Sequence, residues 1–492
     1  MHYIKRKHLG SEGINEADMS IGNAAGDKSS VAAFRVSHGD AGRDVESSRS
    51  SEFGGVSSEV AEEDPANVWR RRMLVILCSF CTALSYCDRV NMSVAVTEMA
   101  KELEWDIHQR ASVLAAFFWG YIWSQIPGAY LAQKYGGHVV LGVAAFAWSL
   151  STIIVPFLAG ISYRHVVFGR IALGVCEGSV FPVIYHLFAS RVPKEERSRA
   201  LGSINFGVFG GAVFSFAASP VMMHRFHWSM VFYFFGGIGM IWVVLWGLFS
   251  YYIDTPDGST ALPCFPPRKQ IAQPIRKSPT ENLSLLQQAR LIVCHKVVVA
   301  IFYAHFCHNI AAFVLMSWLP TYFEEVFDLG GSSLALSCLP YITMGVAVTF
   351  TSRHADEFIA RGEMPLATVR RISTIVGFLG AGTFMLLITT SSWAVSAIGY
   401  MCLALACNGA GPVAGYEAAK LDVAAPEYVG RLQSISNTLA AFAGIIGVPM
   451  VAFIKEATGS WEAVFLAMSL VFYSAAFVFH MFGHYTGKVV PG

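Results

Sequence analysis

GRIALGVCEGSVFP, residues 169–182, sets an arginine and a glutamate inside an apolar segment long enough to cross a bilayer. Arg170 and Glu177 stand seven residues apart, so at 100° per residue both return to nearly one helical face, while Ile171, Leu173 and Val175 cover the rest. Each charge disfavours insertion by roughly 2.5–3.5 kcal/mol, which is why an ionisable side chain at that depth reads first as functional. Reading this stretch as a membrane helix decides the fold, because the surrounding chain repeats its character.

Of 492 residues, 54% are hydrophobic and 14% charged, whereas soluble domains approach about a quarter charged. The class is therefore a polytopic membrane protein. A net charge of +1 argues against nucleic acid as a partner and leaves the lipid bilayer and a small molecule. Most of the ten cysteines fall inside apolar segments. Cys78 and Cys81 form a CxxC, but within a membrane helix they read as small packing residues, and no disulfide framework, metal site or cofactor is expected. No nucleophile with its base stands out, so no enzyme is expected either.

Residues 1–67 are polar, with twelve acidic and seven basic side chains and no helical periodicity, and are expected to form a disordered tail. The tail lacks the apolar core of a secretory signal, and its acidity fits poorly with a transit peptide. Plasma membrane, endomembrane and plastid all stay open as compartments. Beyond Trp69 and the basic run Arg70 to Arg72, twelve apolar segments recur, each near the ~20 residues that cross the hydrocarbon. Spans 1–6 are read over 73–97, 111–132, 138–160, 164–190, 200–223 and 229–253. Spans 7–12 are read over 297–320, 333–352, 369–390, 393–418, 431–454 and 461–484. The expected organisation is a cytosolic tail (1–67), a six-helix bundle (68–253), a cytosolic interdomain loop (254–296), a second six-helix bundle (297–485) and a cytosolic tail (486–492).

Charge distribution between the loops supports this count. With a cytosolic N-terminus, the inner side collects Arg70, Arg71, Arg72, Lys134, Arg191, Lys194, Arg197, Arg199, Arg353, Arg361, Arg370, Arg371, Lys420, Arg431 and Lys488. The outer side holds only Lys101, Arg110, Arg164, Arg225 and Lys455, and Glu324, Glu325 and Asp328 make the loop after span 7 acidic. Both termini are thus expected in the cytosol. An internal repeat agrees: Arg199, Ser203, Ile204, Asn205, Pro220 and Trp228 recur as Arg431, Ser434, Ile435, Asn437, Pro449 and Trp461, about 230 residues later. Two related halves predict a site between them near the midplane.

FFWGYIWSQIPGAYLAQKYGG (117–137), GRIALGVCEG (169–178), EERSRALGS (195–203), SWLPTYFEEVF (317–327), TVRRI (368–372) and SISNT (434–438) follow one another in an order that resembles the anion:cation symporter branch of the major facilitator superfamily. That branch includes vesicular glutamate transporters, sialin and plant-type phosphate transporters. The resemblance covers essentially residues 70–485 and implies an all-α fold of twelve transmembrane helices in two pseudosymmetric six-helix bundles. It implies a rocking anion transporter, expected as a monomer, coupled to sodium or protons or driven by membrane potential. Lys134, Gly137, Arg197 and Arg199 fall in its gating motifs, and Arg89 and Arg170 on its anion-binding arginines. Several positions depart from the pattern. Gln133 replaces an acidic latch residue, Ala419 and Lys420 replace an Asn-His before Asp422, and Glu427 replaces an arginine. His308 and Asn309 on span 7 resemble the phosphate members and favour inorganic phosphate over an organic anion such as glutamate or a sugar acid. A non-transporting nutrient sensor on the same scaffold is the other alternative.

Counting 1.5 Å per residue, Arg89 lies roughly 12 Å from the outer end of span 1 and Arg170 roughly 9 Å from that of span 4, so two guanidiniums share a depth. Their forks suit bidentate binding of carboxylate or phosphate. Asp88 projects about 100° away from Arg89 and cannot simply neutralise it. Arg170 leans away from Glu177, ~10 Å along the same helix, so its partner is another helix or a ligand. Burial favours the neutral form of Glu177 and the arginines favour the charged form, a balance suited to proton exchange. The competing reading is a structural Glu177–Arg89 pair. Asp88 is a further coupling candidate. Tyr121, His308, Asn309 and Asn437 are candidate substrate contacts. His305, one turn before His308, has no third ligand spaced with it, which argues against a metal.

Overall fold

The computed structural model describes residues 65–193, 196–254, 295–424 and 426–487. The tail read over 1–67 and the loop read over 254–296 lie outside the described residues except at their edges, as do residues 488–492. Span 1 is α1 (Pro65–Glu102), span 2 α2 (Ile107–Tyr135), span 3 α3 (Gly137–Ile161), span 4 the pair α4 (Tyr163–Gly178) and α5 (Val180–Arg191), span 5 α6 (Arg197–Arg225) and span 6 α7 (Ser229–Asp254). Span 7 is α8 (Lys296–Phe327), and span 8 is the 3-10 turn Gly331–Cys338 running into α9 (Leu339–Ala360). Span 9 is α10 (Leu366–Ile388), span 10 the pair α11 (Ala394–Ala414) and α12 (Tyr416–Val423), span 11 α13 (Pro426–Thr458) and span 12 α14 (Trp461–Phe482). Eleven of these are long and apolar enough to cross a membrane. The remaining one, α2, is diluted by His108, Gln109, Arg110, Gln125, Gln133 and Lys134.

Spans 4 and 10 read as continuous in the sequence, yet both are broken. Pro182 carries no N–H and its ring crowds the carbonyl four residues back at Gly178, so the helix restarts at Val180. In span 10 the interruption falls at Gly415, where a Cβ would stand 2.1 Å from Thr374 Oγ1 of α10. Span 10 then continues to Val423, past the expected end at 418. Lys420, counted above among cytosolic loop residues, is therefore a buried membrane-helix side chain, only 1% exposed.

The heaviest packing is within each half, with α1 on α6 and α2 on α4 in the first and α11 on both α9 and α10 in the second. Gly174 and Gly178 let α4 approach α2 closely: a Cβ on Gly174 would stand 2.1 Å from the Phe117 carbonyl oxygen. Backbone cannot yield by that much without separating the helices. Gly174→Ala is expected to lower stability by about 1–3 kcal/mol, read as a fall in melting temperature of the detergent-solubilised protein.

The two halves meet asymmetrically. At the far face, where α1 ends, Lys101 pairs with Glu324, Arg110 Nη1 lies 3.4 Å from Glu325 Oε1, and His108 Nε2 lies 2.7 Å from Glu456 Oε2. Just below, Phe118 of α2 packs on Phe313 of α8, centroids 4.5 Å apart. At the near face the ion pairs stay inside one half: Arg71 with Glu196 at 2.7 Å, and Arg370 with Asp422 at 3.1 Å. The described ion pairs that join the halves all lie at the far face. Glu325 is the hub, since its Oε2 also accepts from Lys455 Nζ at 2.7 Å and Trp461 Nε1 at 3.0 Å. Exposed pairs contribute up to about 1 kcal/mol each. Glu325→Ala removes the one described pair that this residue makes across the halves, with Arg110, and should therefore lengthen the distance between spin labels at the far ends of α2 and α13 in up to about a fivefold larger fraction of molecules.

Candidate functional site

The break in span 4 positions the first cluster. Glu177 is the second-last residue of α4 and is fully buried. Its Oε2 accepts from Ser85 Oγ at 2.6 Å and from Arg89 Nε at 3.1 Å, both on α1. The competing reading from the sequence is thus the observed contact: Arg89 and Glu177 form an interhelical ion pair. Arg170 stands apart from Glu177, as the lean of helical side chains dictates. Its Nη1 donates to the Asp88 carbonyl oxygen at 3.3 Å, so its described partner is a peptide group, not a carboxylate. Asp88 Oδ1 accepts from Asn91 Nδ2 at 3.1 Å, one turn on, and does not pair with Arg89.

Aromatic rings frame these cations. The Arg89 guanidinium lies 4.6 Å from the Tyr86 ring centre and 4.7 Å from those of Phe117 and Tyr121. Arg170 lies 5.4 Å from the same Phe117 ring, so the two arginines are brought to one aromatic side chain. Cation–π contact stabilises a desolvated guanidinium by about 2 kcal/mol without occupying its N–H groups. Arg89 Nη2, Arg170 Nε and Glu177 Oε1 are buried and have no hydrogen-bond partner. An unmet buried polar atom costs about 1–3 kcal/mol, and two of these three are cationic donors. With Asp88 and Glu177 ionised, the cluster's formal charge is zero.

The second half holds a polar cluster in which the sequence points to His308 as a substrate contact and leaves Glu417 and Asn408 unassigned. Lys420 Nζ donates to Glu417 Oε1 at 2.7 Å and lies 3.2 Å from His305 Nδ1. Ser436 Oγ lies 2.7 Å from the same Nδ1. Lysine only donates, so Nδ1 is an acceptor and His305 is the neutral Nε2–H tautomer, its Nε2 3.4 Å from Glu417 Oε1. His308 Nδ1 donates to Asn408 Oδ1 at 2.9 Å. Glu417 escaped notice because span 10 was read as ending there; the signal that would have found it is the i, i+3 Glu417–Lys420 spacing immediately after Gly415.

Two of the predicted substrate contacts hold a partner along their own helices. Asn309 Nδ2 donates to the His305 carbonyl oxygen at 2.9 Å, and Asn437 Oδ1 accepts from Gln433 at 3.0 Å, so both are engaged along their own helices. Lys134 is exposed at the near face, 5.1 Å from the Tyr135 ring, and Gly137 is buried at the start of α3. The side chains of Arg197 and Arg199 lie outside the described residues.

The sequence profile described as Major Facilitator Superfamily matches residues 78–448. The chain is 33% identical over 427 residues to an "Ascorbate transporter, chloroplastic" of Arabidopsis thaliana, covering 86% of this chain and 76% of that one. It is also 33% identical over 423 residues to "Sodium-dependent phosphate transport protein 1, chloroplastic" of the same plant, covering 83% and 80%. In fold it is similar to a bacterial homologue of the human lysosomal transporter Spinster, solved inward-facing and unoccupied, with a TM-score of 0.66 at 14% identity over 85% of this chain and 99% of that one.

Proposed function

The chain belongs to the Major Facilitator Superfamily, and from that membership we propose a secondary active transporter that carries inorganic phosphate by alternating access, with protons as the coupling ion. It is a multi-pass membrane transporter, not an enzyme. The observation that carries the proposed chemistry is the balanced cluster of Arg89, Arg170, Asp88 and Glu177, with cationic donors left unpaired. Adding an anion to a charge-neutral, desolvated site is costly unless a proton follows it. The anion engages Arg170 and draws Arg89 away from Glu177, and Glu177 then takes the proton. With a singly charged phosphate and one proton aboard, the loaded site keeps the zero formal charge of the empty one as the halves rock about it, and both ions leave from the other face.

The near face is taken as cytosolic, following the loop charges, with both termini there. A plastid membrane is the proposed location, supported by two relatives named chloroplastic. The protein is taken to act as a monomer with no cofactor and no nucleic acid partner. An organic anion is the second reading, favoured by the relative named as an ascorbate transporter. Labelled phosphate uptake into liposomes holding the purified protein, with proton, sodium and voltage gradients imposed one at a time, tests this. A proton gradient alone should drive accumulation. Accumulation that follows sodium or voltage instead would replace the coupling ion, and binding without flux would mark a sensor.

A further inference from the structure

We propose that Lys420, Asn408 and Tyr416 form a second anion seat in the C-terminal half, with Glu417 as its displaceable counter-ion. The three side chains are buried, at 1%, 1% and 0% exposure. They gather at one ring. Lys420 Nζ lies 5.5 Å from the Tyr416 ring centre, and the His305 and His308 rings lie 5.7 and 6.3 Å from it. His308 in turn holds Asn408 through its Oδ1. Tyr416 Oη and Asn408 Nδ2 are buried with no partner. Both can donate, and beside an ammonium they suit an anion rather than a cation.

Among the described residues, Lys420 is the one buried lysine or arginine of the C-terminal half. Its contact with Glu417 is one turn long on a single short helix, so side-chain rotation exchanges it without moving backbone. Glu417 is the more exposed partner, 30% against 1%, and is the one that can swing towards water. A buried ion pair of this kind is not needed for stability, because apolar residues of similar volume often replace one at no cost. Both halves therefore use one device: a carboxylate within two residues of a span break, paired to a cation beside unpaired donors.

The identity of the anion, though not the seat, rests on the transport reading above. The full chain in detergent is titrated with sodium phosphate, and separately with ascorbate and glutamate, following its melting temperature. Lys420→Met alone would strand Glu417, so the decisive variant is Glu417→Gln with Lys420→Met, which removes both charges together. Its half-saturating phosphate concentration should rise about 30-fold, the loss of one charge-assisted contact. Lys420→Arg should stay within about threefold of the unmodified protein. A double variant that responds to phosphate like the unmodified protein overturns the seat, whether or not its melting temperature changes. If ascorbate or glutamate stabilises the unmodified protein and phosphate does not, phosphate is the wrong anion, and loss of that response in the double variant supports the seat. No response to any of the three overturns both.

Discussion

Arg170→Gln is expected to reduce phosphate transport efficiency by about 100-fold or more while the protein still folds and inserts. The guanidinium is 3% exposed, and its one described hydrogen bond runs to the Asp88 carbonyl oxygen. That bond is weak at 3.3 Å, and Nε has no partner. A glutamine amide can still donate to a peptide oxygen, so little native structure is lost. What glutamine cannot supply is the charge and the fork that receive an anion, each charge-assisted bond contributing about 1.5–3 kcal/mol. Arg170→Lys should recover charge without the fork and lose roughly tenfold. Uptake into liposomes at several phosphate concentrations separates KM from the maximal rate. A glutamine variant with unchanged KM would remove Arg170 from the site.

The second large effect concerns stability first and coupling second. Arg89→Leu leaves Glu177 charged, fully buried and held by Ser85 alone, a loss of about 3–5 kcal/mol. Melting temperature should fall sharply. Glu177→Gln in the same chain removes the stranded charge and should restore most of the stability, yet transport should stay absent because the cation is gone. Glu177→Gln by itself leaves Arg89 facing Ser85 and an amide. It should still exchange labelled for unlabelled phosphate across the liposome membrane, and should no longer concentrate phosphate against a gradient when a pH difference is imposed. Accumulation equal to that of the unmodified protein would take the proton away from Glu177.

The reading of Arg170 and Glu177 shows how much of the site the sequence carries. Helical phase and the lean of side chains were enough to separate those two residues on one helix. Depth counting brought Arg89 and Arg170 to one level, and both pack against the Phe117 ring. The same arithmetic did not decide whether Glu177 faced Arg89 or open space, because rotation of α4 against α1 is set by close packing around Gly174 and Gly178, which helical phase alone does not express. Lys420 marks a different limit. A charge near an expected helix end reads as loop, and only the break at Gly415 and the continuation to Val423 carry it back into the bundle.

By itself the sequence determined the membrane class and the all-helical fold, and pointed to twelve spans, of which eleven are long and apolar enough to cross a membrane, to a two-half repeat and to cations at one depth. Those follow from hydrophobic length, loop charge and helical period, all local to the chain. Only the tertiary structure decided which carboxylate answers which cation, that Lys101, His108 and Arg110 pair across the halves at the far face, and that Glu417, Lys420, His305 and Asn408 meet around Tyr416. Each of these joins residues from different helices. Partner choice between helices depends on their mutual rotation and approach, and the packing of small residues and breaks fixes both only once all the spans are assembled.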